Sequence, residues 1–280
     1  MLTKEDTKKI LAFVKKEPKL IQDISHHIGK SWVTTDSYVN SIAKESGLIQ
    51  VKTFREGTKG AIKVAYWNYA ESLESDEIKE KLFDRIRLLA NKKDFDPMEI
   101  YQFVDNKKAK AFIERYDDPF ISKNQKLVSC LKGVESELFC FSGNLSWINV
   151  TENKVKIIAV LEELLKRGVI IRVLCRIDVA SLTNLNIMER LMKKYPNQIE
   201  IRHRLQPLRG FIFDSKRARF KDEKSPQDFK GKELEKNVRM FYDIYDDEWI
   251  KWLQNVFWNL FRSSIDYKQR LEIINKIYLK

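Results

Sequence analysis

The chain has 280 residues, a formal net charge of +12 and 43% hydrophobic residues, with only nine glycines and six prolines. At about 150 residues per domain this length predicts two domains, and the composition excludes a disordered or low-complexity chain. The first ten residues mix both charge signs, and no apolar stretch is long enough for a membrane span, so we expect a cytoplasmic protein with no membrane partner.

The positive charge is concentrated in two segments. Residues 1–70 carry a net charge of +5, and residues 201–221 carry a net charge of +6. Lysine and arginine side chains that neutralise phosphates release condensed counterions and gain affinity. The surplus therefore indicates a polyanionic partner.

Three short helices are predicted at the N-terminus. The first starts at a Thr3 cap and ends before Pro18, and the second ends at Gly29. The third begins near Thr34 or Thr35 and has an apolar face formed by Val39, Ile42 and Ala43.

Two predicted strands, QVKTFR and AIKVAYWN, follow the third helix and are separated by the glycine-containing turn EGTKG. Three short helices followed by a two-stranded hairpin form a winged helix-turn-helix, which we assign to residues 1–70. An α-helix fits the major groove, where its outward face must offer hydrogen-bonding groups to base edges and phosphates. We therefore predict double-stranded DNA as the partner.

The predicted DNA-binding residues lie on the outward face of the third helix and on the basic hairpin. They are Lys30, Thr34, Thr35, Ser37, Tyr38, Ser41, Lys44, Lys52, Arg55, Lys59 and Lys63. Winged helices also dock proteins, and Asp36 on the same helix opposes phosphate, so protein docking is the alternative.

Residues 71–95 are predicted as a connector with a helix over 71–91. An apolar stripe runs through positions 73, 78, 82, 86 and 89. Such a stripe either pairs with a second copy, giving a homodimer that spaces two DNA half-sites, or packs against the C-terminal domain.

Residues 96–280 alternate predicted strands and helices, which indicates an α/β sandwich in an α/β multidomain chain. The predicted strands are 98–104, 137–142, 169–177, 199–204, 209–214 and 240–245. The predicted helices are 106–116, 123–133, 152–167, 182–195 and 247–261, with one more helix after Ser263 and Ser264.

The strand IEIRHRL followed by PLRGFIFD resembles the half-barrel of the phospholipase D superfamily, whose hallmark is His-x-Lys-x-x-x-x-Asp. In that family the histidine is the nucleophile and the lysine stabilises the phosphate. Asp214 fits the aspartate, whereas Pro207 and Arg209 stand at the histidine and lysine positions. Proline offers no nucleophile, so the resemblance implies a non-catalytic domain. Arg209, Asp214 and His203 remain as a candidate effector or anion pocket.

The order of winged helix, helical connector and degenerate phospholipase D-like domain resembles the archaeal TrmB-like transcriptional regulators. The resemblance implies promoter binding by the N-terminal domain, dimerisation through the connector and a small-molecule effector on the C-terminal domain. We therefore expect a sequence-specific, dimeric regulator without enzymatic activity.

Two other functions stay open. A DNA-targeted nuclease or phosphodiesterase would use Arg209, Asp214 and His203 in a rearranged site. An interaction adaptor would use the basic segment around Arg217 and Arg219 to bind acidic surfaces or RNA. The three cysteines and three histidines show no metal-ligand spacing, so we expect no metal and no cofactor.

Overall fold

The computed structural model describes residues 2–55, 61–68, 75–228 and 234–278. The helices are α1 (Lys4–Lys16), α2 (Ile21–Ile28), α3 (Trp32–Ser46), α4 (Ser75–Leu88), α5 (Met98–Tyr101), α6 (Leu127–Lys132), α7 (Ile157–Lys166), α8 (Leu182–Lys194), α9 (Asp247–Arg262) and α10 (Tyr267–Tyr278). The strands are β1 (Lys19–Leu20), β2 (Ile49–Arg55), β3 (Ala61–Trp67), β4 (Ala109–Tyr116), β5 (Ile121–Ser122), β6 (Glu137–Phe141), β7 (Thr151–Glu152), β8 (Val155–Lys156), β9 (Ile170–Cys175), β10 (Ile199–His203), β11 (Gly210–Phe213), β12 (Arg217–Lys224), β13 (Asn237–Ile244) and β14 (Ile265–Asp266).

The N-terminal unit, from α1 to β3, contains the predicted helices and hairpin in the predicted order. The Thr3 side chain accepts a hydrogen bond from the Asp6 backbone and caps α1, and Gly29 ends α2 in the left-handed conformation at φ 65°. The third helix begins earlier than predicted, because Ser31 provides its cap by accepting a hydrogen bond from the Thr34 backbone at 3.2 Å. β2 and β3 form the antiparallel hairpin, and β1 pairs with β3.

The C-terminal unit, from α5 to α10, is built on a mixed sheet of eight described strands in the order β14-β10-β9-β6-β11-β12-β13-β4. Strands β6, β9 and β10 run parallel to one another, and the other neighbouring pairs are antiparallel. The predicted α/β class is confirmed by this sheet and the helices that cover it.

Two predicted elements of the C-terminal unit are wrong. Residues 106–116 contain β4 instead of a helix, and residues 98–104 contain the short helix α5 instead of a strand. β4 pairs with β13 along its whole length, and this pairing overrides the helical spacing of its apolar residues. In α5 all four residues are buried, so no one-sided pattern distinguishes a helix from a strand.

Each face of the large sheet is covered by its own apolar core. One core includes buried residues of α6, α7, α8 and α10. The other includes α5, α9, Leu82 and Ile86 of α4, and the hairpin residues Phe54 and Ile62. The stripe positions 78, 82, 86 and 89 therefore pack within the chain, whereas position 73 lies outside the described residues. The hairpin joins the N-terminal unit to the C-terminal core. Within the described ranges, no helix combines the length and the apolar character that crossing a bilayer requires.

Candidate nucleic-acid interface

Helix α3 leaves one polar face open to solvent. It packs against α1, α2 and β2, while Ser37, Asn40 and Lys44 are exposed and Ser41 is half-buried. Ser37, Ser41 and Lys44 are spaced by four and three residues, so they lie on one side of the helix. These predicted DNA-binding residues therefore share a surface that the rest of the protein leaves accessible.

Two predicted contacts of α3 are directed inward. Thr35 is fully buried, and its hydroxyl donates to the Ser31 carbonyl oxygen at 2.9 Å, so its assignment to the outward face is wrong. The reason is helical geometry: Thr35 precedes Val39 by four residues and shares its buried face. Tyr38 is half-buried and packs against the N-terminal core, and Thr34 is held in the Ser31 cap, where the two hydroxyls lie 2.8 Å apart.

An ion pair joins α3 to the hairpin. Lys63 Nζ lies 2.5 Å from the Asp36 carboxylate, and both side chains are less than one-fifth exposed. Lys63 also lies 5.4 Å from the centre of the Trp32 ring. The pair neutralises the Asp36 carboxylate, which would otherwise repel phosphate, but it also occupies the Lys63 ammonium group that we predicted to bind DNA.

The hairpin presents its predicted basic residues on different faces. Lys52 shares a face with buried Phe54, and its ammonium nitrogen lies 5.5 Å from the centre of the Tyr101 ring in the C-terminal unit. Because that face covers the C-terminal core, Lys52 lies against the C-terminal unit, and its contact with DNA stays a prediction. Arg55 lies on the opposite face and is exposed, as is Lys30 after α2. Lys59 lies outside the described residues.

The candidate pocket of Arg209, Asp214 and His203 is not assembled. The Asp214 carboxylate accepts hydrogen bonds from the backbone nitrogens of residues 135–137, at the start of β6, at 2.7 to 3.0 Å. Burial opposes ionisation of this carboxyl, but these hydrogen bonds outweigh it and lower its pKa. Arg209 lies beside Gly143, beyond the other end of β6. Arg209 and Asp214 therefore lie at opposite ends of β11, which pairs with β6 in the antiparallel direction.

His203 has a structural role at the end of β10. Its Nδ1 accepts a hydrogen bond from the Ile177 backbone nitrogen at 2.9 Å. Burial, followed by the positive charge of Arg270, lowers the pKa of His203 to about 4. The imidazole is therefore neutral at pH 7.

Two arginines of the basic segment 201–221 are paired with a carboxylate inside the protein. Arg217 and Arg219 both bind the buried Asp243 carboxylate, Arg219 through two nitrogens at 2.5 and 2.8 Å. The adaptor interpretation needed these guanidinium groups to be free, and that part of it is wrong. The sequence does contain a signal that we missed: in RARFKDEK the basic residues Arg217, Arg219 and Lys221 alternate, which is typical of one face of a strand.

Comparisons with known proteins give structural similarities only. No family model and no curated protein matches the sequence. The chain is similar to TrmBL2, an archaeal chromatin protein described as showing a novel mode of DNA binding, with 11% identity and a TM-score of 0.41 over 95% of this chain and 94% of that chain.

Two further solved structures are similar to about half of this chain. Nuc from Salmonella typhimurium, a phospholipase D family member, has 13% identity and a TM-score of 0.40 over 57% of this chain and 98% of its own. NucT from Helicobacter pylori has 13% identity and a TM-score of 0.37 over 57% of this chain and 99% of its own.

Proposed function

We propose that this chain is a DNA-binding transcriptional regulator whose N-terminal unit acts as a winged helix and places α3 in the major groove. The observation that carries the proposal is the exposed polar face of α3. Its Ser37 and Lys44 lie in the same small unit as the exposed cations Lys30 and Arg55. A helix of this kind can approach a duplex without rearrangement of the rest of the molecule.

The chemistry of α3 suits contact with base edges. The Ser37 hydroxyl can donate and accept hydrogen bonds, and Lys44 can reach a guanine or a phosphate. The Ser41 hydroxyl donates to the Glu45 carboxylate at 2.8 Å and the Asn40 amide nitrogen to the Asp36 carbonyl oxygen at 2.7 Å, so these two side chains would exchange exposed intrahelical hydrogen bonds for bonds to bases. Val33, in the first turn of α3, is 74% exposed, and an apolar side chain there can contact a thymine methyl group. The Lys63–Asp36 ion pair reduces the repulsion between the helix and the phosphate backbone.

Salt-dependent binding to duplex DNA tests this proposal. We expect Lys44→Ala and Arg55→Ala to weaken binding to every duplex and to reduce the slope of log affinity against log salt concentration by about 1 each. The reason is that binding releases fewer counterions when one phosphate contact is lost. We expect Ser41→Ala to relax the sequence preference instead. Fluorescence anisotropy with specific and scrambled duplexes over a salt series measures both effects.

The matched control is Lys166→Ala, which removes an exposed lysine at the end of α7 in the C-terminal unit. It should leave both the affinity and the salt slope unchanged. If Lys166→Ala weakened binding as much as Lys44→Ala and Arg55→Ala, the interface would not be the N-terminal unit.

We propose further that the regulator is a homodimer and that its C-terminal unit is a phospholipase D-like domain without catalytic activity. Pro207 at the nucleophile position and the use of His203 Nδ1 as a backbone acceptor support the absence of catalysis. Because Leu82 and Ile86 pack within the chain, the dimer needs a surface other than this stripe. DNA cleavage by the purified protein that disappears in His203→Ala would contradict the non-catalytic role.

A further inference from the structure

We propose that the C-terminal unit binds a small organic anion, a phosphate or carboxylate group attached to a planar apolar body, in a cavity beside Arg209. The cavity has a volume of about 330 Å³ and lies against β11, β12 and β13 and the chain that follows β6 and β9. Ligand pockets are typically about 300–1,000 Å³, so it can hold a small molecule. The inference rests on the proposed function only where the ligand is taken to be the regulator's effector.

The charge of the lining favours an anion. Among the described residues, one carboxylate lines the cavity, that of Glu223, against six cations. The cations are Lys92, Arg176, Arg209, Arg219, Lys221 and Arg239. Unpaired positive charge inside a protein is unfavourable, and an anionic ligand relieves this cost.

Five of these six cations have carboxylate partners among the described residues, including Arg176, whose Nε lies 2.8 Å from the Asp178 carboxylate. Arg219 binds Asp243, and Arg239 Nη1 lies 2.9 Å from the Glu114 carboxylate; all four side chains are less than 5% exposed. Such buried pairs are fixed parts of the wall, because removing one partner would leave a buried charge.

Glu223 is shared by three cations of the wall. It pairs with Lys92 at 2.6 Å and with Lys221 at 2.9 Å, and its carboxylate lies 3.9 Å from Arg239 Nε. Burial opposes ionisation of Glu223, but Lys221 and Lys92 outweigh it and lower its pKa to about 2. This carboxylate therefore stays charged and is divided among several cations, which leaves the cavity cationic.

Arg209 is the cation best suited to hold the ligand. Its guanidinium donates only to backbone carbonyl oxygens in the described structure, those of Gln206 at 3.0 Å and Leu208 at 2.7 Å. Burial, followed by the charge of Arg176, lowers the pKa of Arg209 to about 10, as expected for a cation that lacks a carboxylate partner. A second cavity adjoins the first and shares Lys92, Arg176 and Arg209 with it.

A glycine makes room for this guanidinium. A side-chain carbon at Gly143 would lie 2.9 Å from Arg209 Nε, closer than such atoms approach. A side chain at position 143 would therefore displace the Arg209 guanidinium from its present place on the cavity wall.

Two buried donors in the lining have no hydrogen-bond partner among the residues that the structure describes. They are the Gln125 side-chain amide nitrogen, in a residue that is only 5% exposed, and the Trp147 indole nitrogen. Both are N–H groups, so an oxyanion would satisfy them where a cation would not. The remaining lining includes the aromatic rings of Phe120, Phe211 and Phe241, which suit a planar apolar body.

Calorimetric titration of the full-length protein tests the proposal with four probes. Adenosine monophosphate carries a phosphate and a planar ring, adenosine lacks the charge, inorganic phosphate lacks the ring, and benzoate carries a carboxylate. We expect adenosine monophosphate or benzoate to bind at least about tenfold more tightly than adenosine and inorganic phosphate. Whichever of adenosine monophosphate and benzoate binds more tightly identifies the anionic group. Equal affinity for adenosine, or no binding of any probe at about 10 mM, would overturn the proposal.

Substitutions locate the binding site. Arg209→Gln should weaken binding of the preferred anion about tenfold or more, Arg209→Lys should weaken it less, and Lys166→Gln should leave it unchanged. Trp147→Phe keeps an aromatic ring but removes the indole donor, so it should weaken anion binding even if Arg209→Gln fails to fold. Unchanged affinity in folded Arg209→Gln and Trp147→Phe would overturn the site. DNA binding is not needed for this readout, so its failure would leave the anion site standing.

Discussion

At the scale of single residues, His203 couples the fold of the C-terminal unit to pH. Its Nδ1 must be unprotonated to accept the hydrogen bond from Ile177, and burial lowers its pKa to about 4 from an ordinary value of 6.5. Between pH 6.5 and pH 4 the unfolded state therefore binds more protons than the folded state. The stabilisation from this group is complete above pH 6.5 and is lost as the pH falls through 4.

We expect His203→Asn to flatten this part of the pH profile. The variant removes the titrating group, so the loss of unfolding free energy between pH 6.5 and pH 4 should be smaller than in the wild-type protein. Urea unfolding at several pH values measures the difference. Parallel profiles for the two proteins would show that His203 titrates alike in the folded and unfolded states.

The side of α3 on which each residue lies could be deduced from the sequence by applying the helical periodicity to all its residues. The apolar face at Val39 and Ile42 places Ser37, Ser41 and Lys44 outward, as found, and it also places Thr35 inward. Lys52 could not be placed in the same way, because nothing in the hairpin sequence shows which of its faces meets the C-terminal unit. That orientation depends on contacts with Tyr101 and other residues distant in sequence.

At the scale of elements, the hairpin of β2 and β3 has both faces in use. Ala65 lies in the core of the N-terminal unit, whereas Phe54, Ile62 and Val64 lie in the core that covers the large sheet. The Phe54 ring meets the Tyr242 ring edge-on, with 5.9 Å between centroids. The hairpin is thus a structural bridge as well as the predicted wing.

We expect Phe54→Ala to lower the free energy of unfolding by about 3–5 kcal/mol, because it removes a side chain that is 2% exposed and leaves a cavity in the shared core. Its neighbour Thr53 is exposed, so Thr53→Ala should change the free energy by no more than about 0.5 kcal/mol. Urea denaturation compares the two variants. A cost for Phe54→Ala as small as that for Thr53→Ala would contradict the bridging role.

Long elements with one-sided patterns could be predicted from the sequence, whereas elements defined by distant pairing could not. The α9 helix has apolar residues at helical spacing and was predicted almost to its end. β4 has Ala109, Phe112 and Tyr116 at the same spacing, yet it is a strand because β13 pairs with all eight of its residues. Local pattern alone therefore favoured the wrong structure.

At the scale of the whole molecule, contacts across the chain attach α3 and its neighbours to the C-terminal unit. Arg85 of α4 lies 2.5 Å from the Glu99 carboxylate of the C-terminal unit and 3.8 Å from that of Glu17 in the N-terminal unit. The shared apolar core reinforces this attachment. The open face of α3 is therefore held in a fixed orientation on the body of the molecule.

The distribution of charge can also be interpreted only from the folded molecule. The two basic segments look alike in the sequence, but Arg217 and Arg219 of the second are bound to Asp243 inside the C-terminal unit. In the first segment Lys30, Lys44 and Arg55 remain exposed. Composition predicted a polyanionic partner for both segments, and only the folded arrangement distinguishes structural cations from accessible ones.

The most direct measurement of the central claim is photo-crosslinking of the full-length protein to a labelled duplex. A photoreactive amino acid in place of Ser37, on the open face of α3, should crosslink to the DNA within the major groove. The same amino acid in place of Lys166 should not crosslink. The account predicts this difference under conditions where anisotropy shows the duplex to be bound. Bound duplex that crosslinks equally at the two positions, or only at position 166, would contradict it.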